Sequence, residues 1–212
     1  MMAGTCAEYD WSHGYCREES TPLNPTTLYG IAKDAARRLV MAMCEQNQVA
    51  CAWGRVFLTF GAGESTQRLV PSLIAALRGE RSPFATYTTA YRDFLHASDV
   101  AAGLVALLQP AASGAYNICS GEPVQLTNVV HSLANLLQAD PQRILALGQI
   151  RTNEPSLLVG NSTRLQTLGW RPALSLEQGL HLATFGATCP RIPADCPFNP
   201  TTGATLENHS RH

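Results

Sequence analysis

The sequence predicts an α/β fold built around a parallel sheet. Residues 49–57 form a largely continuous apolar run rather than an alternating one, which is typical of a parallel strand covered on both faces. This run leads into residues 58–64, a glycine-containing loop of the kind that binds ligands at the carboxyl end of such a strand. Segments with the period of an amphipathic helix lie on both sides of it. Together, these observations favour alternating strands and helices.

The chain begins with a segment that is hard to assign. Residues 1–21 look like the end of a strand that opens into a loop, and we expect the strand itself to be missing, interrupted by Met1. The first long helix is expected to be capped by Asn24, with Pro25 at its first position, where the missing N–H costs nothing. Its residues with helical spacing are expected to face the core; they are Leu28, Ile31, Ala32, Ala35, Leu39 and Met43.

Shorter elements are predicted for the rest of the chain. Gly79 is expected to end the second helix, Ser98 and Thr127 to cap two later helices, and Ser175 with Gln178 to form a capping box for the last one. The predicted helices cover residues 67–78, 98–108, 127–139 and 162–168 and a segment that begins after residue 175; the predicted strands cover residues 92–96, 115–119 and, at a sheet edge, 143–145. Residues 186–212 are rich in Pro, Thr, Asn and Gly and are expected to be a poorly ordered tail.

Composition and charge argue against several classes of partner. The 212 residues carry a net charge of −1, so no electrostatic argument supports binding to nucleic acid or to an anionic membrane. No apolar run approaches a membrane-spanning length, and the first residues do not form a secretory signal. The seven scattered cysteines contain no Cys-x-x-Cys spacing, and Cys189 and Cys196 have no histidine near them. We therefore expect reduced thiols, no metal site and a cytoplasmic location.

Tyr29 and Lys33 form the first candidate for chemistry. Residues four apart on a helix share a face, so the phenol and the ammonium can point into one site. A fixed cation favours the phenolate form, which suits a tyrosine that exchanges a proton with a substrate hydroxyl or carbonyl. This spacing also recurs by chance on solvated helices, so the pair alone does not decide the function.

Four further motifs occur in a consistent order around this pair. Thr5 precedes Tyr9 by four residues and Tyr29 by twenty-four. The other motifs are Arg92-Asp93-Phe94-Leu95-His96 leading to Asp99, Tyr116-Asn117-Ile118 leading to Ser120-Gly121, and Leu168-Gly169-Trp170-Arg171-Pro172. With these motifs, residues 4–182 resemble the extended short-chain dehydrogenase/reductases, specifically the NAD-dependent epimerase/dehydratase family that acts on nucleotide sugars.

The resemblance implies a fold and a division of the chain. The fold would be the C-terminal part of a Rossmann-like parallel sheet with a small α/β substrate-binding lobe. Residues 1–62 would form a partial Rossmann-like catalytic segment, and residues 63–185 a substrate-binding lobe interleaved with the remaining sheet elements. Residues 186–212 would be the tail.

The resemblance also implies roles for individual residues. Tyr29 would be the catalytic acid/base, and Lys33 would bind the ribose of an NAD or NADP cofactor and stabilise the phenolate, so that both residues contact the cofactor. Thr5 would hydrogen-bond the sugar oxygen that is oxidised or reduced. The cofactor would exchange the hydride, while the protein would supply position and proton transfer.

The substrate implied is a nucleotide-diphosphate sugar, whose phosphates need cations. The candidates are Arg68, Arg92 and Arg151, because a guanidinium matches phosphate oxygens in a bidentate manner. Arg92 could equally tie a loop to the sheet. Leu58 stands where relatives commonly carry a substrate-binding asparagine, so that contact is not expected here. Thr59 is a further candidate for binding the substrate.

Two departures from the family pattern limit the prediction. Relatives that dehydrate the sugar carry an Asp-Glu pair directly after the catalytic Ser or Thr, whereas this chain has Cys6-Ala7, with Glu8 one position further on. This disfavours a 4,6-dehydratase and favours a 4-ketoreductase or an epimerase. In addition, the family's opening Gly-x-x-Gly-x-x-Gly segment does not occur in this sequence.

The second departure leaves alternatives open. We expect a truncated form that lacks about one dinucleotide-binding half of a relative. The chain could instead be an inactive remnant that binds a nucleotide sugar or a partner, or it could pair with a complementing chain that carries the missing half. Homodimerisation is also possible within the family. An in-frame glycine-rich segment in the DNA upstream of Met1 would favour the enzyme over the remnant.

Overall fold

The computed structural model describes residues 1–152 and 154–186. The predicted tail at residues 186–212 therefore lies almost entirely outside the described residues. The strands are β1 (Met2–Thr5), β2 (Tyr15–Cys16), β3 (Ala52–Val56), β4 (Leu58–Phe60), β5 (Tyr91–Arg92), β6 (Phe94–His96), β7 (Gly114–Ile118), β8 (Val124–Gln125) and β9 (Leu157–Gly160). The helices are α1 (Leu28–Gln46), α2 (Leu69–Arg78), α3 (Ala97–Ala106), α4 (Leu126–Leu137), α5 (Gln142–Leu145), α6 (Thr163–Gln166) and α7 (Leu176–Phe185).

The central sheet is parallel, in the order β1-β3-β7. Its register pairs Met2 with Trp53 and Thr5 with Val56. Four of the five residues of β3 are buried, as the continuous apolar run predicts for a strand covered on both faces. The α/β fold with parallel strands is thus confirmed. The expectation that the strand before Thr5 is missing was wrong, because β1 begins at Met2 and pairs along its whole length.

Two smaller sheets extend this framework. Strands β4 and β6 form a parallel pair, and a second sheet has the order β2-β9-β5-β8, in which only the β5–β8 pairing is antiparallel. The prediction of a loop at residues 58–64 was wrong for residues 58–60, which form β4 one residue after β3. The predicted edge strand at residues 143–145 is a short helix, α5, and the true strand β9 lies later in the chain.

Most of the apolar core lies between helices α2, α4 and α7 and the β4–β6 pair. Its fully buried members are Leu73, Ala76, Val129, Val130, Leu133, Ile144 and Leu180. A second cluster packs β3 and β7 against α3, with Ile118 and Trp170 among its buried members. The first cluster packs the end of β4 against α2, and the second packs β3 against α3.

Several predicted helix caps differ in the structure. Thr27 rather than Asn24 caps α1, since its hydroxyl accepts the N–H of Gly30 at 3.0 Å. The ring of His96 rather than Ser98 caps α3. Thr127 is not a cap, because its hydroxyl donates to the carbonyl of Thr88 at 2.9 Å. The left-handed Gly79 after α2 and the capping box of Ser175 with Gln178 are confirmed.

The orientation of α1 is the largest difference from the sequence prediction. Its apolar stripe faces outward among the described residues, with Leu28, Leu39 and Met43 exposed by 84%, 63% and 55%. The buried positions of α1 are Gly30 and Asp34. A Cβ at Gly30 would lie 2.3 Å from the carbonyl oxygen of Ala7, so only glycine allows this face of the helix to approach the chain so closely. No helix in residues 1–152 and 154–186 is long and apolar enough to cross a membrane.

Candidate active site

A cavity of about 740 Å³ opens where β1, β3 and β4 end, beside the start of α2. This is the edge at which open parallel sheets bind ligands. Five of the residues singled out from the sequence line it: Thr5, Tyr29, Thr59, Arg68 and Arg92. Thr5 and Arg92, which lie more than 80 positions apart in the sequence, therefore line the same cavity.

Thr5 is the last residue of β1 and is 8% exposed. Its hydroxyl oxygen accepts the N–H of Ala7 at 3.2 Å, and its own N–H donates to Oε1 of Glu8 at 2.9 Å. These two bonds form a capping box around the 3₁₀ turn Cys6–Glu8. The strand and the turn together fix the hydroxyl at the cavity wall.

Tyr29 and Lys33 lie on one face of α1, as their spacing predicts. Tyr29 lines the cavity and is 57% exposed. Lys33 is not among the lining residues: its Nζ donates to the carbonyl of Ala3 at 3.1 Å and lies 6.0 Å from the centre of the Tyr29 ring. The ammonium is thus held between β1 and the phenol, with further N–H donors available to a ligand.

The three candidate arginines are in different environments. Arg68 precedes α2 and pairs with Glu64 at 3.2 Å, while its side chain stays 62% exposed. Arg92 is buried in β5 and pairs with Glu154 at 3.4 Å. Burial lowers the pKa of Arg92, and the Glu154 carboxylate opposes that effect. Arg151 does not line the cavity; it binds the other oxygen of Glu154 at 2.7 Å.

The remaining wall of the cavity is largely apolar. Leu58, Phe60 and Phe94 line it together with Thr59, whose hydroxyl lies 3.4 Å from the carbonyl of Phe57. An aliphatic side chain at Leu58 offers no hydrogen bond to a ligand. Among residues 58–60, polar recognition therefore falls to Thr59.

Thr5 is connected through Glu8 to a buried polar network that the sequence did not reveal. The Glu8 carboxylate accepts hydrogen bonds from Trp53 Nε1 at 2.9 Å and Arg55 Nε at 2.8 Å. Arg55 also donates to the Tyr9 hydroxyl at 2.9 Å, and that hydroxyl donates to Asn117 at 2.8 Å. The one sequence signal was a glutamate and an arginine in two otherwise apolar segments. This network anchors the turn that carries Thr5.

The two positions after Thr5 hold no acid or base. Burial raises the pKa of the Cys6 thiol to about 12, so the thiol stays neutral near neutral pH. Ala7 has only a methyl group. Glu8 is fully buried against Trp53 and Arg55 and does not line the cavity. This segment therefore offers the cavity no carboxyl group.

Asp93 and Asp99 serve the backbone rather than the cavity. Asp93 lies between β5 and β6 and accepts hydrogen bonds from Ser120, Gly121 and Gly160 at 2.7–3.2 Å, which joins it to the segment after β7 and to the end of β9. Asp99 accepts the N–H groups of Ala173 and Leu174 at 3.0 and 3.2 Å. These contacts tie Asp93 to the Ser120-Gly121 motif and Asp99 to the residues that follow the Trp-Arg-Pro motif.

A comparison with known protein families decides the family. The model for the NAD dependent epimerase/dehydratase family matches residues 1–119. The chain belongs to this family. The matched residues include β1, α1 and the cavity-lining positions through Arg92.

Curated relatives of this epimerase/dehydratase chain have several activities. GDP-6-deoxy-D-mannose reductase of Pseudomonas aeruginosa is 28% identical over 176 residues, which cover 77% of this chain and 56% of the relative. The dTDP-L-rhamnose 4-epimerase of Burkholderia thailandensis is 28% identical over 174 residues, which cover 77% and 47%. The chain thus spans about half the length of the curated relatives it matches.

Solved structures agree on the fold. The structure of MoeE5 in complex with UDP-glucose and NAD has a TM-score of 0.74 and 27% identity, covering 86% of this chain and 62% of that one. The NAD complex of UDP-glucose 4-epimerase from Thermus thermophilus has a TM-score of 0.74 at 20% identity, covering 87% and 62%. The second likeness shows the fold alone.

Proposed function

We propose that this chain carries the substrate-binding and proton-transfer residues of an NAD(P)-dependent nucleotide-sugar epimerase or 4-ketoreductase. The observation that carries the proposal is that Thr5, Tyr29, Arg68 and Arg92 line one cavity. A hydroxyl donor, an acid/base and two cations match a sugar that is attached to a diphosphate.

Tyr29 is the proposed acid/base of the reaction. Its exposed phenol would take a proton from the sugar hydroxyl during oxidation or return one to the carbonyl oxygen during reduction. Thr5 would hold the same oxygen through its hydroxyl. Arg68 and Arg92 would bind the diphosphate, while Arg151 would act through Glu154, which it shares with Arg92. Thr59 would contact the substrate from the opposite wall.

The groups present fit one part of a dinucleotide cofactor, NAD or NADP. Lys33 has N–H donors that are not taken up by Ala3, and it lies beside Tyr29, so the two can hold ribose hydroxyls. A bound nicotinamide would supply or accept the hydride. No Gly-x-x-Gly-x-x-Gly turn for the pyrophosphate occurs in the sequence. The NAD seen with the similar MoeE5 supports the choice of cofactor.

Dehydration is the less favoured reaction for this cavity. Loss of water from a sugar needs an acid and a base near the departing hydroxyl. The positions that follow Thr5 present a buried neutral thiol and a methyl group instead. We therefore regard 4,6-dehydratase activity as less favoured than epimerase or 4-ketoreductase activity.

A second candidate function is a nucleotide-sugar-binding or partner-binding fragment without turnover. Two observations favour it. β1 is an edge strand in the described sheet, and the apolar side chains of α1 are exposed, so both could bind another chain. A homodimer or a complementing chain would cover this surface.

We also propose that the chain divides into a catalytic segment, residues 1–62, and a substrate-binding lobe, residues 63–185. We further propose a cytoplasmic location, which is consistent with the five free cysteines among the described residues.

The test is turnover by the chain with excess NADPH and a nucleotide 4-keto-6-deoxysugar, and with NAD and UDP-glucose. We expect Tyr29→Phe to reduce the rate by about a hundredfold or more, the usual contribution of a general acid/base. Tyr91→Phe is the matched control, because Tyr91 is 41% exposed and does not line the cavity. Equal rates for the two variants would remove Tyr29 from the mechanism. UDP-glucose binding without turnover in the unaltered chain would favour the binding fragment.

A further inference from the structure

One carboxylate in the cavity wall has an oxygen without a partner. Glu64 lies between the end of β4 and the start of α2 and lines the cavity. Its Oε1 accepts a hydrogen bond from Arg68 Nε at 3.2 Å. Its Oε2 is shielded from water and makes no hydrogen bond, and among residues 1–152 and 154–186 it is the sole buried side-chain nitrogen or oxygen in that state.

Such an acceptor is costly in a folded protein. A buried carboxylate oxygen loses its hydration and gains nothing in return unless a donor replaces the water. Burial raises the pKa of the Glu64 carboxyl, and the nearby Arg68 only partly opposes this. By contrast, the buried carboxylates of Glu8 and Asp93 receive several donors each.

We infer that Glu64 is a specificity-determining residue of this cavity and accepts hydrogen bonds from sugar hydroxyls of the bound nucleotide sugar. The inference rests on the proposed function of the cavity. A carboxylate only accepts, so its partner must bring O–H or N–H donors. The diphosphate that Arg68 would bind is flanked on each side by a ring rich in hydroxyls, the ribose and the hexose. Glu64, four residues before Arg68, is placed to meet one of these rings.

The ion pair between Glu64 and Arg68 makes this exchange feasible. The Glu64 side chain is 17% exposed, whereas that of Arg68 is 62% exposed, so the guanidinium is the partner that can turn toward a phosphate. When it turns, Oε1 loses its donor and the ion pair no longer holds the carboxylate, so the Glu64 side chain can rotate and bring the shielded Oε2 to the cavity. Two free oxygens on one carboxylate match two neighbouring hydroxyls, so the ligand chemistry that fits best is a vicinal diol.

The test uses calorimetric titration of the chain with UDP-glucose, UDP and inorganic pyrophosphate. The variants are Glu64→Gln, which keeps the shape of the side chain, and Glu64→Ala, which removes both acceptors. Glu80→Gln is the control, since Glu80 is 61% exposed and lies outside the cavity wall. Thermal unfolding of each variant verifies that it is folded. We expect both Glu64 variants to bind UDP-glucose about tenfold to a hundredfold more weakly, the range for a hydrogen bond to a charged group.

The three ligands separate the outcomes. A loss of affinity for UDP-glucose alone assigns the contact to the hexose. An equal loss of affinity for UDP-glucose and UDP, but not for pyrophosphate, assigns it to the ribose. Both outcomes support the inference. Unchanged or tighter binding of UDP-glucose overturns it, as does an equal loss for all three ligands, which would mean that Glu64 only positions Arg68. If the unaltered chain binds neither UDP-glucose nor UDP, the proposed function itself fails, and the inference fails with it.

Discussion

Glu8 and Arg55 form an ion pair at 2.8 Å that is almost completely removed from water, with side chains 0% and 3% exposed. The pair joins the turn after β1 to the middle of β3. Because Glu8 also accepts the N–H of Thr5, the position of the candidate Thr5 hydroxyl depends on the same carboxylate. The stability of the sheet and the geometry of the cavity are therefore coupled at this point.

The first prediction concerns this buried pair. Glu8→Gln leaves the Arg55 charge buried without its counter-ion, and we expect the free energy of unfolding to fall by about 3 kcal/mol. The exposed Glu80→Gln should change it by less than about 0.5 kcal/mol. Urea denaturation followed by circular dichroism measures both. Equal stabilities for the two variants would mean that Glu8 does not anchor the turn.

The second prediction concerns pH and His96. Burial lowers the pKa of the His96 ring, with Asp99 partly opposing it, and Nδ1 caps α3 at Ser98. The unfolded chain therefore takes up this proton at a higher pH than the folded chain. The contribution of His96 to stability is therefore fully present at pH values above the ordinary histidine pKa, which is that of the unfolded chain. The contribution is lost as the pH falls from this pKa toward the lowered pKa of the folded chain.

His96→Asn isolates this effect, because asparagine is a good cap and does not titrate. We expect the difference in unfolding free energy between about pH 8 and about pH 5.5 to be smaller in the variant than in the unaltered chain. Urea denaturation at the two pH values provides the comparison. An identical difference in both proteins would show that His96 makes no contribution.

The third prediction concerns the cofactor. Lys33 and Tyr29 can meet ribose hydroxyls, but no glycine-rich turn for the pyrophosphate is present in the sequence. We expect the chain by itself to bind NAD with a dissociation constant weaker than about 10 μM in calorimetry. Tighter binding would require a pyrophosphate site elsewhere in the chain and would refute this expectation.

The parallel sheet was readable from the sequence, whereas the orientation of α1 was not. The continuous apolar run marked β3, because a strand covered on both faces needs apolar side chains on both. Helical periodicity located the apolar stripe of α1 but could not say whether anything covers it. The informative residue was Gly30, whose close approach to Ala7 fixes the buried face. Residues 143–145 were ambiguous, since a short apolar run fits a strand or a buried helix turn equally well.

The candidate site was predicted in part. Thr5, Tyr29, Thr59, Arg68 and Arg92 were singled out from motifs, and the structure brings them to one cavity, while their roles stay predictions. The carboxylates were missed. Glu8 and Glu64 matter because each has a buried carboxylate oxygen, and the partners of Glu8 and Glu154 include residues 45 or more positions away. No local pattern in the sequence reports such contacts.

The most direct test of the proposed nucleotide-sugar site is an NMR titration of the ¹⁵N-labelled chain with UDP-glucose. We expect shifts of amide signals around the cavity, at Thr5, Tyr29, Thr59, Arg68 and Arg92. Signals in a second cavity of about 610 Å³, such as those of Asn128 and Ser132, should stay unchanged. Absence of shifts at the first set, or shifts confined to the second, would contradict the claim that this cavity is a nucleotide-sugar site.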